Sequence, residues 1–66
     1  MNQDEITLMD WLRKRGITSR AFTDIKHGCR RGVIWLAGIR QQSAEGVEGA
    51  TAALNAAERI YGKTLK

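Results

Sequence analysis

Gly16 and Gly28 cut the N-terminal half of the chain into short segments, each opening on residues that can cap a helix and closing on a glycine that can end one. Thr7 followed by Asp10 resembles a capping box with the acid in place of Glu or Gln, and Ile6 and Trp11 stand where a hydrophobic staple would close over it. Gly16 offers a left-handed ending, with Leu12 and Ile17 at the two positions whose side chains meet in a Schellman motif. The spacing predicts a first helix over Leu8 to Arg15. Its apolar face is Leu8, Trp11 and Leu12, with Met9 at the margin, and Arg13, Lys14 and Arg15 complement the negative end of its dipole. A second helix is predicted over Ser19 to His27, capped by Thr18 or Ser19, stapled by Ile17 and Phe22 and stopped by Gly28. Ala21, Phe22 and Ile25 give it one apolar stripe and leave Arg20, Thr23, Asp24 and Lys26 to face outward.

Beyond Gly28 the pattern is less decisive. Arg30 to Gln42 contains a seven-residue apolar run, Val33 to Ile39, that fits a buried helix or a strand. Gly32 and Gly38 each weaken a helix by about 1 kcal/mol relative to Ala, whereas Leu36, Ala37, Arg40, Gln41 and Gln42 favour one. A third helix is the preferred reading, with a strand over 33–37 in a winged-helix α+β fold as the alternative. From Ser43 onward the chain turns to alanine and glycine, and a last helix is predicted to run to a stop at Gly62. Glu45 and Glu48 near its start and Arg59 and Lys63 near its end suit the dipole. Val47, Ala50, Leu54, Ala57 and Tyr61 alternate spacings of three and four, which marks a packing seam for dimerisation or for the rest of the chain. Ser43 to Gly49 is the one plausible hinge. The expected architecture is all-α, a single domain over 1–66 with a basic helix-turn-helix-like core (1–42) and an alanine-rich C-terminal helix (43–66).

A chain of 66 residues lies below the roughly 70–80 at which one hydrophobic core suffices comfortably. The lone Cys29 excludes an intramolecular disulfide and any C-x-x-C metal framework, so self-association as a homodimer is the expected source of further burial. The run Val33 to Ile39 falls far short of the about 20 apolar residues that span a bilayer, and the first ten residues carry acids and no basic side chain. Neither a membrane partner nor a signal peptide is expected, and the default location is cytoplasmic.

Charge is strongly polarised. Arg13 to Arg40 holds eight of the eleven basic residues against a single acid, Asp24, for a formal +7, while the remainder sums to −3. Such a segment points to a polyanion, because Lys and Arg that neutralise phosphates release condensed counterions. The inventory for catalysis is thin: a Cys29/His27 dyad would have to meet across a glycine turn, with only Asp24 to orient it and no room for a cleft. No enzymatic activity is expected. These residues match no zinc spacing, and no metal, cofactor or small-molecule substrate is expected. His27 is read as a helix end and Cys29 as a packing residue. Gly28 to Gly32, reading GCRRG, could place backbone N–H groups and two guanidinium groups around a phosphate. Trp11 and Trp35 could stack on unpaired bases, but their apolar surroundings assign both to the core.

A helix-turn-helix needs two short helices, a tight turn and a polar, basic second helix, and two registers satisfy it. In one, the first two helices flank Gly16-Ile17, and Thr18, Ser19, Arg20, Thr23 and Lys26 face DNA. In the other, the second and third helices flank Gly28-Cys29, with Arg30, Arg31 and Trp35 forward. ITLMDW (Ile6 to Trp11), GITSRAFTDIKHG (Gly16 to Gly28) and the following RRGVIWL resemble the start, reader helix and first strand of small phage regulators of the Cro-repressor type, and are similar to the two-helix winged modules of phage excisionases. The resemblance spans about half the chain on generic motifs. One helix of the Cro pattern is missing, no clear wing hairpin follows Val33 to Leu36, and an alanine-rich helix stands where that family has its tail. The resemblance implies operator or attachment-site binding with Thr18, Ser19, Arg20, Thr23 and Lys26 at reader positions. The expected protein is a small DNA-binding regulator of a phage or mobile element, a transcriptional repressor or recombination directionality factor. Arg13, Arg15, Arg30 and Arg31 would hold phosphates while Arg20, Thr23 and Lys26 probe base edges. The rival expectation is an inhibitor or adaptor that binds a host protein through the same basic face and keeps Trp35, Ile39 or the C-terminal seam accessible. A structural or packaging accessory of a virion is a third.

Overall fold

The computed structural model describes residues 2–64 and is all-α, with four helices and no strand among the described residues: α1 (Gln3–Lys14), α2 (Ser19–His27), α3 (Arg30–Ala44) and α4 (Ala50–Thr64). α1 begins a full turn earlier than Thr7 and Asp10 suggest. Its cap is Asn2, whose Oδ1 accepts the Glu5 N–H at 2.9 Å, and Asp4 and Glu5 place negative charge in the first turn, where the dipole favours it. Thr7 instead accepts from Gln3 Nε2 at 3.2 Å, Asp10 pairs with Lys14 at 3.1 Å, and Ile6 is exposed rather than stapled over Trp11.

The expected Schellman ending is present at Gly16: the Ile17 and Gly16 N–H groups donate to the Leu12 and Arg13 carbonyls, both at 3.0 Å. The same pair of bonds closes α2, from Cys29 to Asp24 at 3.3 Å and Gly28 to Ile25 at 3.2 Å, and closes α3, from Val47 to Gln42 and Gly46 to Ser43. Gly62 does not stop α4, which continues to Thr64.

α3 resolves the ambiguous segment as a helix, so the winged-helix alternative with a strand over 33–37 is not adopted. Gly32, Leu36 and Ile39 are its buried positions, and the rest of the apolar run lies to the side or outside. Gly32 allows α2 and α3 to approach very closely: a Cβ there would lie 2.8 Å from the Asp24 carbonyl oxygen and 3.2 Å from the Ile25 Cα.

α4 packs against all three other helices and α2 against both α1 and α3, while α1 and α3 make no close approach. Leu8, Trp11 and Leu12 of α1, Ala21 and Ile25 of α2, and Leu36 and Ile39 of α3 enclose Ala50, Ala53, Ala56, Ala57 and Ile60 of α4. α4 thus supplies part of the core itself, and its alanines permit close backbone approach on several sides at once. The seam expected on it is rotated. Ala50 and Ala57 have no exposed surface, Val47, Leu54 and Tyr61 are half-buried at the margin, and Ala53, Ala56 and Ile60 complete the buried face. The segment expected to be a hinge is instead tied down. Ser43 and Ala44 belong to α3, Ser43 Oγ lies 2.6 Å from Thr51 Oγ1, and Trp11 Nε1 donates to the Glu48 carbonyl at 3.4 Å.

Candidate nucleic-acid interface

The acids of this chain neutralise a particular subset of its cations. Among the described residues, ion pairs join Lys14 to Asp10 at 3.1 Å, Lys26 to Glu5 at 3.6 Å, Arg40 to Glu58 at 2.9 Å and Arg59 to Asp4 at 2.7 Å. The last is bidentate, with Arg59 Nε also donating to Asp4 at 3.0 Å, and these bonds hold the Asp4 carboxyl below the usual carboxylate range and raise Arg59. They clasp α1 to α4. Arg13, Arg15, Arg20, Arg30 and Arg31 are exposed and have no ion pair among the described residues. The Arg15 guanidinium lies 5.3 Å from the centroid of the Trp11 ring.

The one acid inside the basic segment, Asp24, borders the same surface as Arg20 and Arg31 but is engaged by Trp35. Asp24 was expected to face outward; it is half-buried, with Oδ2 accepting from Trp35 Nε1 at 3.0 Å and Oδ1 lying 3.6 Å from Cys29 Sγ. Its role is to join α2 to α3. Trp35 is accordingly half-buried and tethered, and Trp11 is buried, as their apolar settings suggested.

α2 and the first turn of α3 share a shallow surface depression lined by Ser19, Arg20, Thr23, Asp24 and Arg31. Thr23 Oγ1 donates back to the Ser19 carbonyl at 3.2 Å, which leaves its lone pairs outward. Thr18 and Cys29, the residues before α2 and α3, have extended backbone and make no side-chain capping bond; their carbonyls accept the Ala21 N–H at 3.2 Å and the Gly32 N–H at 2.9 Å. Two helix N-termini and several arginines face solvent on adjoining elements, an arrangement that suits phosphate oxygens.

Of the reader residues expected from sequence, Thr18, Ser19, Arg20 and Thr23 are exposed along α2, with Arg30 and Arg31 following on α3. Lys26 is exposed as well, at the far end of α2. It reaches Glu5 of α1 and lies 5.8 Å from the Phe22 ring centroid. Arg13 borders a separate apolar groove between α1 and α2, lined by Met9, Leu12, Ile17 and Phe22. The register that presents α2 after the Gly16-Ile17 turn thus has polar and basic side chains outside. The register that presents α3 has Val33 and Ile34 there beyond its two arginines.

Cys29 does not pack as expected but is exposed at the start of α3, and its Sγ lies 3.5 Å from the Asp24 carbonyl oxygen. Among the described residues no three His, Cys, Asp or Glu side chains gather as metal ligands, and no helix is long and apolar enough to cross a membrane. No known protein family, curated protein or solved structure matches this chain.

Proposed function

We propose that this chain binds duplex DNA through α2 and the N-terminal turn of α3, as a small regulator of transcription or recombination. The observation that carries the reading is the selective neutralisation of charge: the acids engage Lys14, Lys26, Arg40 and Arg59 and, among the described residues, leave five exposed arginines without an ion pair, of which Arg20 of α2 and Arg31 of α3 border one depression. In this account Arg30, Arg31 and the first-turn amides hold phosphates, Arg13 and Arg15 flank them, and Arg20 with Thr18, Ser19 and Thr23 meets base edges. The molecule measures 30 × 21 × 18 Å, less than the roughly 34 Å of one duplex turn, so one copy covers a single half-site and two copies are needed for a paired site.

The alternative of an inhibitor or adaptor for a host protein draws less support. It calls for an accessible Trp35, Ile39 or C-terminal seam, whereas Ile39, Ala50 and Ala57 are buried and Trp35 is half-buried. The deciding experiment is selection from a pool of random duplexes. Enrichment of one motif by the parent, lost when Arg20 and Thr23 are both replaced by Ala, is the expected result. No enrichment, or the same motif retained by the double variant, would remove α2 as a reader helix.

A further inference from the structure

α3 keeps an apolar outer face that none of the described residues covers. Arg30, Val33, Ile34, Ala37, Gly38 and Gln41 are all exposed and fall on one stripe at helical spacing. Val33 is 51% and Ile34 69% exposed, two adjacent branched side chains in water, and a Cβ placed on Gly38 would meet no atom within 4 Å. We propose that this face pairs with the same face of a second copy, α3 against α3 in antiparallel orientation.

The occupant follows from the order of residues on the stripe. An isologous interface must be complementary to itself under a two-fold rotation. An axis between Trp35 and Leu36 sets Val33 opposite the partner's Gly38 and Ile34 opposite the partner's Ala37, so each bulky side chain enters the space left by a small one. The same axis sets Arg30 opposite the partner's Gln41, one turn from Glu45, whose carboxylate accepts from Gln41 Nε2 at 3.3 Å. The basic start of each α3 then meets the acidic end of the other, and the two helix dipoles oppose. A parallel pairing would place bulk on bulk and arginine on arginine. Ile6, the remaining large exposed apolar side chain, stands alone among polar and charged neighbours that include Asp10 and Arg13, with no second exposed branched side chain beside it. Because Ala50 and Ala57 are consumed inside the monomer, the pairing surface moves from α4 to α3. Ser19, Arg20 and Thr23 lie off this stripe, so pairing leaves them free; Arg30 is common to both surfaces, and pairing places it beside the partner's Gln41.

The patch is small, so the dimer is expected to be concentration-dependent. Sedimentation equilibrium from micromolar to millimolar protein tests it. The parent should pass reversibly from monomer to dimer. Ile34→Glu should remain monomeric throughout with unchanged helicity, since that side chain is already largely in water, and Ile6→Glu should dimerise as the parent does. Arg30→Glu should weaken pairing by roughly tenfold or more, and Arg30→Glu combined with Glu45→Arg should restore it. A parent that stays monomeric at every concentration overturns the proposal. So does a dimer that Ile34→Glu leaves intact, which would place the contact elsewhere, such as the half-buried margin of Val47, Leu54 and Tyr61.

Discussion

Replacing Gly32 by Ala tests the contact on which the α2–α3 surface depends. The new Cβ would stand 2.8 Å from the Asp24 carbonyl oxygen, well inside the 3.4–4 Å of ordinary contact, with the Asp24 carbonyl carbon and the Ile25 Cα both at 3.2 Å. None of these is the free end of a side chain. The Asp24 carbonyl also accepts the N–H groups of Gly28 at 3.1 Å and Cys29 at 3.3 Å, so it cannot retreat without opening the end of α2. The helices must part, which stretches the 3.0 Å bond from Trp35 to Asp24. Overpacking of this kind costs about 1–3 kcal/mol, and the better helix propensity of alanine returns about 1 kcal/mol. A net loss of about 1 kcal/mol lowers the melting temperature of a domain this size by about 4–8 °C. Gly38→Ala on the same helix meets no atom within 4 Å, so at dilute, monomeric concentration it should raise the melting temperature by a similar amount. Thermal melts followed by circular dichroism and tryptophan fluorescence compare the two. Equal stabilisation by both substitutions would refute the close approach of α2 and α3.

Two further outcomes follow from the local chemistry of α1. Arg59 depresses the Asp4 carboxyl, so its contribution is present above the unfolded-state value and is lost as pH falls through the depressed folded-state value. Asp4→Asn should therefore lower the melting temperature at neutral pH and match the parent in strong acid; a constant offset across the whole pH range would contradict the clasp. Asn2→Ala removes the bond from the Glu5 N–H to Asn2 Oδ1 and should cost about 1 kcal/mol. Amide exchange at Glu5 should quicken, and unchanged exchange there would return the start of α1 to Thr7.

The helix endings at Gly16 and Gly28 were legible because a left-handed residue followed by an apolar one is local chemistry, set by a few neighbouring positions. The start of α1 was missed although Asn2 and Glu5 stand three apart, because Gln3, Asp4 and Glu5 carry no apolar periodicity to mark them as helical. α3 was ambiguous for a physical reason. Its core needs only Gly32, Leu36 and Ile39, and the apolar side chains between them at Val33, Ile34 and Ala37 face outward and erase the amphipathic signal. The α4 seam was misplaced because alanine is at home on either face of a helix, and a helix packed on three others buries a wider arc than one stripe. At the candidate interface, residue types pointed to the exposed polar side chains of α2, but not to the pairing of Lys26 with Glu5 or of Asp24 with Trp35. Both depend on distances between helices that spacing along one helix does not reveal.

Salt dependence of DNA affinity, measured for the parent, for Arg30→Ala with Arg31→Ala, and for Lys14→Ala with Arg40→Ala, separates unpaired from ion-paired cations. Each phosphate neutralised contributes about 0.9 to the slope of log affinity against log salt. The parent should show a steep slope, which falls by about 2 when the two α3 arginines are removed and changes little when the two ion-paired cations are removed. Affinity indifferent to salt, or an equal loss of slope in the two double variants, would contradict the assignment of the unpaired arginines to a nucleic-acid surface.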